Sequence, residues 1–487
     1  MEDSVSFRTR IPARLDSLPW SRWHWRVVIA LGITWMLDGL EVTIVGSLNP
    51  VLERPDTLGL SATQLGWAAS AYVGGAVSGA ILFGRMADRF GRKRLFLVTL
   101  TVYVIATVLT GLSWNFATFA LCRFLTGFGI GGEYAAINSA IDELIPARVR
   151  GRVDLGINGT FWVGAAAGAL LAVLLLDPDI IGPALGWRFA FGLGAVLGVA
   201  ILYIRRNVPE SPRWLITHGH TDRAEAEIRG IERAIEAEPS GPLSRARETA
   251  RVGRATDHPP LAIRLREHVS WSEIARLMAF RFRRRAVLGL SLMATQAFFY
   301  NAIFFTYGLV LTRFYDVPAE RVGAYILPFA VANFAGPLVL GWLFDVVGRR
   351  LMITVTYAFA GAGLVIAGYA FLQGWLDAVG MTLCWAGIFF VASAAASSAY
   401  LTVSEVFPLE IRAISISIFY AVGTAVGGLL TPAIFGALIE TGSREALFYG
   451  YAAAGVLMCA AAGIAAAIGI DAERKPLEAV ATPLSAS

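Results

Sequence analysis

Charge is scarce in this chain. Asp, Glu, Lys and Arg make up 16% of its 487 residues, whereas a soluble domain carries about a quarter. Cysteine is nearly absent. Cys122, Cys384 and Cys459 all fall in apolar stretches, and an odd, buried set excludes a disulfide framework and a zinc site. No nucleophile–base pair, metal cluster or phosphate loop is evident, so an enzyme is the remotest reading and no cofactor or metal is expected. Residues 1–20 are polar and arginine-bearing without an apolar core, so no cleavable signal peptide is expected and the first apolar run directs insertion.

Long apolar runs are abundant instead. A membrane-spanning helix needs ~20 mostly apolar residues, and twelve such runs stand out: 24–51, 62–84, 95–112, 115–140, 153–176, 186–204, 285–312, 322–343, 351–373, 379–402, 412–438 and 446–469. They are continuous rather than alternating, which selects helices over a barrel. The formal charge of +5 does not point to nucleic acid, because the arginines cluster in short connections that share one side: Arg85, Arg89, Arg92 and Arg94, then Arg148, Arg150 and Arg152, then Arg349 and Arg350, then Arg412. Positive charge marks the cytoplasmic side, which places these loops and both termini there.

The chain repeats itself. Gly84 to Lys93 and Gly341 to Arg350 both read G-x-x-x-D-x-x-G-R-[KR], and their first glycines lie 257 positions apart. Glu143 to Arg150 and Glu405 to Arg412 both read E-x-x-P-x-x-x-R, 262 positions apart. Two motifs at nearly one offset indicate an internal duplication, which in so apolar a chain marks a secondary transporter. The expected fold is an all-α membrane protein with twelve transmembrane helices in two six-helix pseudo-repeat bundles and a cytoplasmic helical linker. The expected divisions are a tail at 1–23, a bundle at 24–204, the linker at 205–284, a bundle at 285–470 and a tail at 471–487.

Within the linker, Ala224, Ile228, Ile231 and Ile235 recur at helical spacing and predict an amphipathic helix. Ser270 and Glu273 fit a capping box for another. The linker either lies under the bundles or is a plain tether. The polar residues from Asp471 onward are expected to be mobile. Gly127, Gly129, Gly131 and Gly132 lie in one apolar helix with no strand before them, so helix packing is expected there and not a nucleotide loop.

Four ionisable residues fall inside spans: Asp38, Glu41, Arg123 and Glu133. Each costs about 2.5–3.5 kcal/mol at mid-membrane on insertion scales. Depth decides which can meet. Glu41 lies ~6 Å beyond the centre of the first span, and Arg123 ~7 Å to the same side of the centre of the fourth. These two share a level. Asp38 lies one turn lower on the same face as Glu41. Glu133 is ~15 Å along its helix from Arg123, too far for a direct pair. Burial raises a carboxylate's pKa and a nearby arginine lowers it. A carboxylate whose arginine contact breaks during motion therefore swings between these regimes, as proton coupling requires. The plain alternative is that these charges only lock the bundle.

The duplicated loops, the paired E-x-x-P-x-x-x-R segments and Pro209-Glu210-Ser211-Pro212-Arg213 together resemble the sugar-porter branch of the major facilitator superfamily. The Asp-Gly-x-acid pattern at Asp38 and the Gly-Gly-acid-Tyr pattern at Glu133 are similar to proton symporters for aromatic acids, phosphate and other metabolites. The resemblance implies proton coupling through Asp38, Glu41, Arg123 and Glu133. By matched spacing it implies substrate contacts at Asn158, Gln296, Asn301, Asn333 and Tyr400, with Tyr300 on the same neutral wall. Hexose itself is disfavoured by the departures: Thr295 and Phe299 replace a Gln and a Gly, and Ala396-Ser397 replaces a Gly-Pro. The repeated motifs imply a gate of Asp88, Arg92, Glu143, Arg150, Asp345, Arg349, Glu405 and Arg412. In it Asp88 and Asp345 cap helix N-termini, and Glu143 and Glu405 pair with Arg92 and Arg349. The leading expectation is proton-coupled symport of a small polar metabolite, a sugar or a sugar-acid-like monocarboxylate, by a monomer in the cell membrane. An uncoupled facilitator or an exporter is the alternative on the same fold, and a non-transporting sensor is a third.

Overall fold

The computed structural model describes residues 6–52, 54–60, 62–176, 180–205, 210–238, 261–264, 270–304, 307–317 and 322–484. Within this set, the first half contributes α2 (Arg22–Leu52), α3 (Ala62–Phe90), α4 (Arg92–Gly111), α5 (Phe116–Leu144), α6 (Arg150–Leu176) and α7 (Pro183–Arg205). A strand β1 (Ser6–Thr9) and a short helix α1 (Ile11–Asp16) precede them. Between the halves come α8 (Pro212–Thr217), α9 (Thr221–Glu236), β2 (Leu261–Arg264) and α10 (Trp271–Arg276). The second half holds α11 (Arg283–Phe304), α12 (Tyr307–Tyr315), α13 (Val322–Val346), α14 (Arg349–Leu372), α15 (Ala378–Val406), α16 (Arg412–Thr424), α17 (Thr431–Glu440) and α18 (Arg444–Ile468), with α19 (Leu477–Val480) after it.

Ten helices among the described residues are long and apolar enough to cross a membrane. The other two expected spans are α5 and α6, 29 and 27 residues long, enough at 1.5 Å per residue for a core about 30 Å thick. The run 412–438 is one expected span but winds into a wider π-helical turn at Ala425–Leu430 between α16 and α17.

Small residues set the helix spacing. Gly75 and Gly79 of α3 lie on the carbonyls of Phe124 and Phe128, while Gly127 and Gly131 of α5 lie on those of Tyr72 and Ala76. A Cβ at any of the four would overlap the facing backbone. The glycines of the fourth span are thus a reciprocal packing seam, as close approach in lipid requires. In both repeated loops the later glycine turns the chain into the next helix at positive φ, +94° at Gly91 and +116° at Gly348, a conformation glycine adopts without steric cost.

The arginine-rich end carries a polar layer. Buried Ala224, Ile228, Ile231 and Ile235 of α9 pack with Ile11, Leu15 and Leu18 of the N-terminal segment and Trp214 and Leu215 of α8. Arg14 bridges Glu225 at 2.7 Å and Glu232 at 2.6 Å, two turns apart on α9. Burial and two carboxylates act in opposite directions on that guanidinium, and the hydrogen bonds to Glu232 and Glu225 prevail, raising its pKa. β1 pairs antiparallel with β2, Ser6 opposite Arg264 and Thr9 opposite Leu261, a ribbon the sequence gave no sign of. The described helices of the linker, α8 and α9, therefore pack against the N-terminal segment at this end.

Arg213 is the staple of this layer. It is fully buried and donates to the carbonyls of Asp142 at 3.3 Å and Glu143 at 2.8 Å, near the C-terminus of α5. It also reaches Asp16 at 2.9 Å and Glu478 at 3.0 Å. Cation against helix C-terminus is the favourable sense of the helix dipole. The expectation of a mobile tail from Asp471 is overturned, because α19 buries Leu477 and Val480 and Leu484 N–H donates to Glu410 at 3.1 Å. Apolar burial and ion pairing outweigh the tail's polar composition. Ser270 accepts from Glu273 N–H and caps α10 as expected.

Removing one partner from a buried ion pair costs about 3–5 kcal/mol. Arg213→Ala is therefore expected to lower the Tm of the detergent-purified protein and to expose the segment after Asp471 to protease. An unchanged Tm and cleavage pattern would show that the staple contributes nothing.

Candidate functional site: a buried ion pair and an interbundle charge cluster

Two layers of buried polar residues stand out, one inside the first bundle on α2 and α5 and one between the bundles. The deeper one holds Asp38, Glu41, Arg123 and Glu133, all buried. Glu41 of α2 and Arg123 of α5 form an ion pair, as their matched depth predicts. The Arg123 guanidinium also sits 4.5 Å from the centroid of the Tyr72 ring on α3, a cation–π contact that is strong when desolvated. Asp38 is buried one turn from Glu41 on α2, and Glu133 is buried farther along α5.

Beside these charges lies an aromatic layer. Trp35 of α2 meets Tyr134 of α5 at 4.7 Å and Tyr400 of α15 at 5.8 Å between centroids. Tyr134 meets Tyr420 of α16 at 4.4 Å. Trp162 of α6 meets Tyr300 of α11 at 6.0 Å. Each set joins the two bundles. Of these rings only Tyr300 and Tyr400 are expected from the sequence. Trp35, Trp162 and Tyr420 carried no motif, and Tyr134 stood in one only as the neighbour of Glu133.

The second-half wall is neutral. Tyr300 hydroxyl donates to Asn333 Oδ1 at 2.8 Å, and Asn333 donates to the Phe329 carbonyl at 2.9 Å. Asn301 donates to the Ala297 carbonyl at 2.7 Å and Asn158 to that of Asp154 at 2.9 Å. Gln296 is buried nearby in sequence on α11. Among the described residues Asn158 Oδ1 is buried without a hydrogen-bond partner, so an acceptor remains open to a donor.

The gate layer lies at the arginine-rich end. Arg349 donates to both oxygens of Glu405, at 3.0 and 3.1 Å, and to Asp345 at 2.9 Å. Arg150, from the other bundle, approaches Glu405 at 3.5 Å. Asp345 accepts from the backbone N–H groups of Gly151 at 3.0 Å and Arg152 at 2.9 Å, so it caps α6 across the bundle boundary. Arg412 reaches Glu143 at 3.7 Å and Asp142 at 4.0 Å. Glu405 thus pairs with Arg349 as expected, and Glu143 has Arg412 as a partner. The side chains of Asp88 and Arg92 lie outside the described residues. Asp142, adjacent to the repeated motif, was missed by its one-residue offset. Asp154, four residues past the motif, was also missed; its two carboxyl oxygens are buried without a hydrogen bond among the described residues.

These contacts tie the two bundles together at the arginine-rich end. Glu405→Gln removes the anion that bridges Arg349 and Arg150, and one lost buried partner is worth about 3–5 kcal/mol. The expected result is a shift of at least about tenfold in population toward an open end, read as longer distances between spin labels at positions 94 and 350. Unchanged distances would remove Glu405 from the gate.

A niacin transporter from Acinetobacter baylyi is 28% identical over 424 residues, covering 87% of this chain and 89% of its own. Myo-inositol transporter 2 of Schizosaccharomyces pombe is 29% identical over 461 residues, covering 90% and 78%. The structure of the proton:xylose symporter XylE bound to 6-bromo-6-deoxy-D-glucose superposes with a TM-score of 0.74 at 20% identity, covering 94% of this chain and 98% of that one. It shares the fold, that of the major facilitator superfamily with twelve helices. Residues 43–478 match the family described as sugar (and other) transporter, and the chain belongs to that family of membrane transporters.

Proposed function

We propose that this protein is a proton-coupled symporter of a small, ring-bearing monocarboxylate, working by alternating access with its arginine-rich end toward the cytoplasm. The observation that carries this reading is the Glu41–Arg123 pair, buried with the guanidinium over the Tyr72 ring. The other buried arginines among the described residues, Arg150, Arg213, Arg349 and Arg412, belong to the gate layer and its staple. Arg123 is therefore the cation available to a substrate carboxylate at this depth, and one cation suits one carboxylate.

Glu41 and a substrate carboxylate compete for one guanidinium. When Glu41 takes up a proton from the open side, Arg123 is left without its anion and the substrate carboxylate replaces it. Charge balance is kept at each stage, so neither a bare guanidinium nor a bare carboxylate crosses the dry interior. Trp35, Trp162, Tyr134 and Tyr400 offer faces and edges to a planar ring. Asp38, on the same face of α2, is the next carboxylate for the proton, and Glu133 continues the route toward the gate. Breaking the Asp345 cap and the Arg349–Glu405–Arg150 cluster then opens the cytoplasmic side. The niacin transporter among the relatives carries a ring-bearing carboxylate of this kind.

A polyol is the second reading. The Tyr300–Asn333 pair and the open acceptor of Asn158 favour hydroxyl groups, and relatives transport myo-inositol and, in XylE, xylose. Uptake into proteoliposomes under an imposed pH gradient separates the two, with nicotinate, benzoate, myo-inositol and xylose as probes. Glu41→Gln is expected to abolish gradient-driven accumulation, by tenfold or more, while substrate exchange at equal pH continues. A normal proton-to-substrate ratio in that variant would overturn the assignment of Glu41.

A further inference from the structure

A groove of about 690 Å³ opens on the outside of the molecule where α2 and α6 of one bundle meet α13 of the other. It is distinct from the interbundle site. Arg152, Trp25 and Trp342 stand at its mouth, and Met36, Val163 and Phe334 line its deep end. Trp25 and Trp342 are 55% and 50% exposed, although each is large and apolar. Indole rings of this kind favour the headgroup level of a bilayer.

The groove has the length of a lipid chain. Eleven residues separate Trp25 from Met36 on α2, and eleven separate Arg152 from Val163 on α6. At 1.5 Å per residue both steps are about 17 Å, close to half of a hydrocarbon core about 30 Å thick. The groove therefore runs from the interface to the neighbourhood of the midplane. Its wall along this path is apolar apart from Thr160, whose hydroxyl donates to the Gly32 carbonyl at 2.7 Å.

The mouth is cationic. Arg152 is exposed, and no carboxylate among the described residues forms an ion pair with it. Arg22 and Arg26, exposed on the first turns of α2, add charge at the same level. Two acids lie near the mouth among the described residues: Asp345, engaged by Arg349 and by the Gly151 and Arg152 N–H groups, and Glu238, which accepts from the Arg22 and Trp23 N–H groups at 2.9 Å. The mouth therefore offers the exposed guanidinium groups of Arg152, Arg22 and Arg26 to a phosphate, while both nearby described carboxylates already accept backbone hydrogen bonds.

We propose that this groove binds an anionic phospholipid of the arginine-rich leaflet, its headgroup phosphate on Arg152 and one acyl chain between α2, α6 and α13. Because the chain would touch both bundles beside the Asp345 cap, the bound lipid spans the seam that parts when the gate opens. Lipid held there favours the closed arginine-rich end.

Native mass spectrometry of the purified full chain tests this with phosphatidylglycerol and phosphatidylcholine of equal chain length, added in turn. The wild type is expected to retain phosphatidylglycerol over phosphatidylcholine. Arg152→Gln is expected to lose that preference by roughly fivefold or more, and its exposed side chain leaves folding intact. Gly156→Leu fills the groove, since a Cβ at Gly156 meets nothing nearer than Leu338 at 3.8 Å. It is expected to reduce retention of both lipids, with an unchanged Tm in lipid-free detergent as the folding control. Equal retention of the two lipids by the wild type, or the same preference in Arg152→Gln, would overturn the proposal as adventitious annular lipid.

Discussion

An arginine cannot sit alone in a dry interior, and this molecule is arranged around that constraint. Each of the five buried arginines described here has a carboxylate on a different element within ion-pair distance: Arg123 with Glu41, Arg150 and Arg349 with Glu405, Arg213 with Asp16, and Arg412 with Glu143. Paired burial of this kind adds little net stability, but losing one partner is costly. Such clusters therefore make weak glue and good switches. They hold one arrangement firmly until a proton, a substrate or a helix movement changes the charge balance.

The two polar layers share one helix, α5. Asp38 and Glu41 lie on α2 beside Trp35, and α5 carries Arg123 and Glu133 in one layer and Asp142 and Glu143 in the other. Trp35 and Tyr134 meet Tyr400 and Tyr420 between the bundles. A movement of α5 that separates Tyr134 from Tyr420 would also shift Glu143 against Arg412. One helix, α5, thus connects the ion pair to the charge cluster at the arginine-rich end without any chain of intermediary residues.

Much of this was legible in the residues. Counting rise per residue placed Glu41 and Arg123 at one depth, because a helix turns sequence separation into distance with little freedom. The Asp345 cap was legible because its motif fixes a helix end. The α9 face was legible because apolar spacing of three and four residues has one structural meaning. What was not legible is what depends on segments far apart in the chain. Arg213 stood in a recognisable motif, but its partners come from residues 16, 142, 143 and 478. The β1–β2 ribbon joins two four-residue strands too short to show alternation. The tail after Asp471 looked mobile because composition records polarity and not the cation waiting for Glu478. Trp35 and Tyr420 read as ordinary apolar helix residues until the facing bundle is present.

The Arg213 staple also imposes an order on biosynthesis. Its last carboxylate, Glu478, follows it by 265 residues, which takes roughly 15–50 s to translate at the usual rate. Throughout that interval the guanidinium has Asp16 and the end of α5 for company but lacks its final anion. Closure of the staple therefore records that the second bundle has been made, and a truncated polypeptide would leave the ribosome with that cation still unanswered.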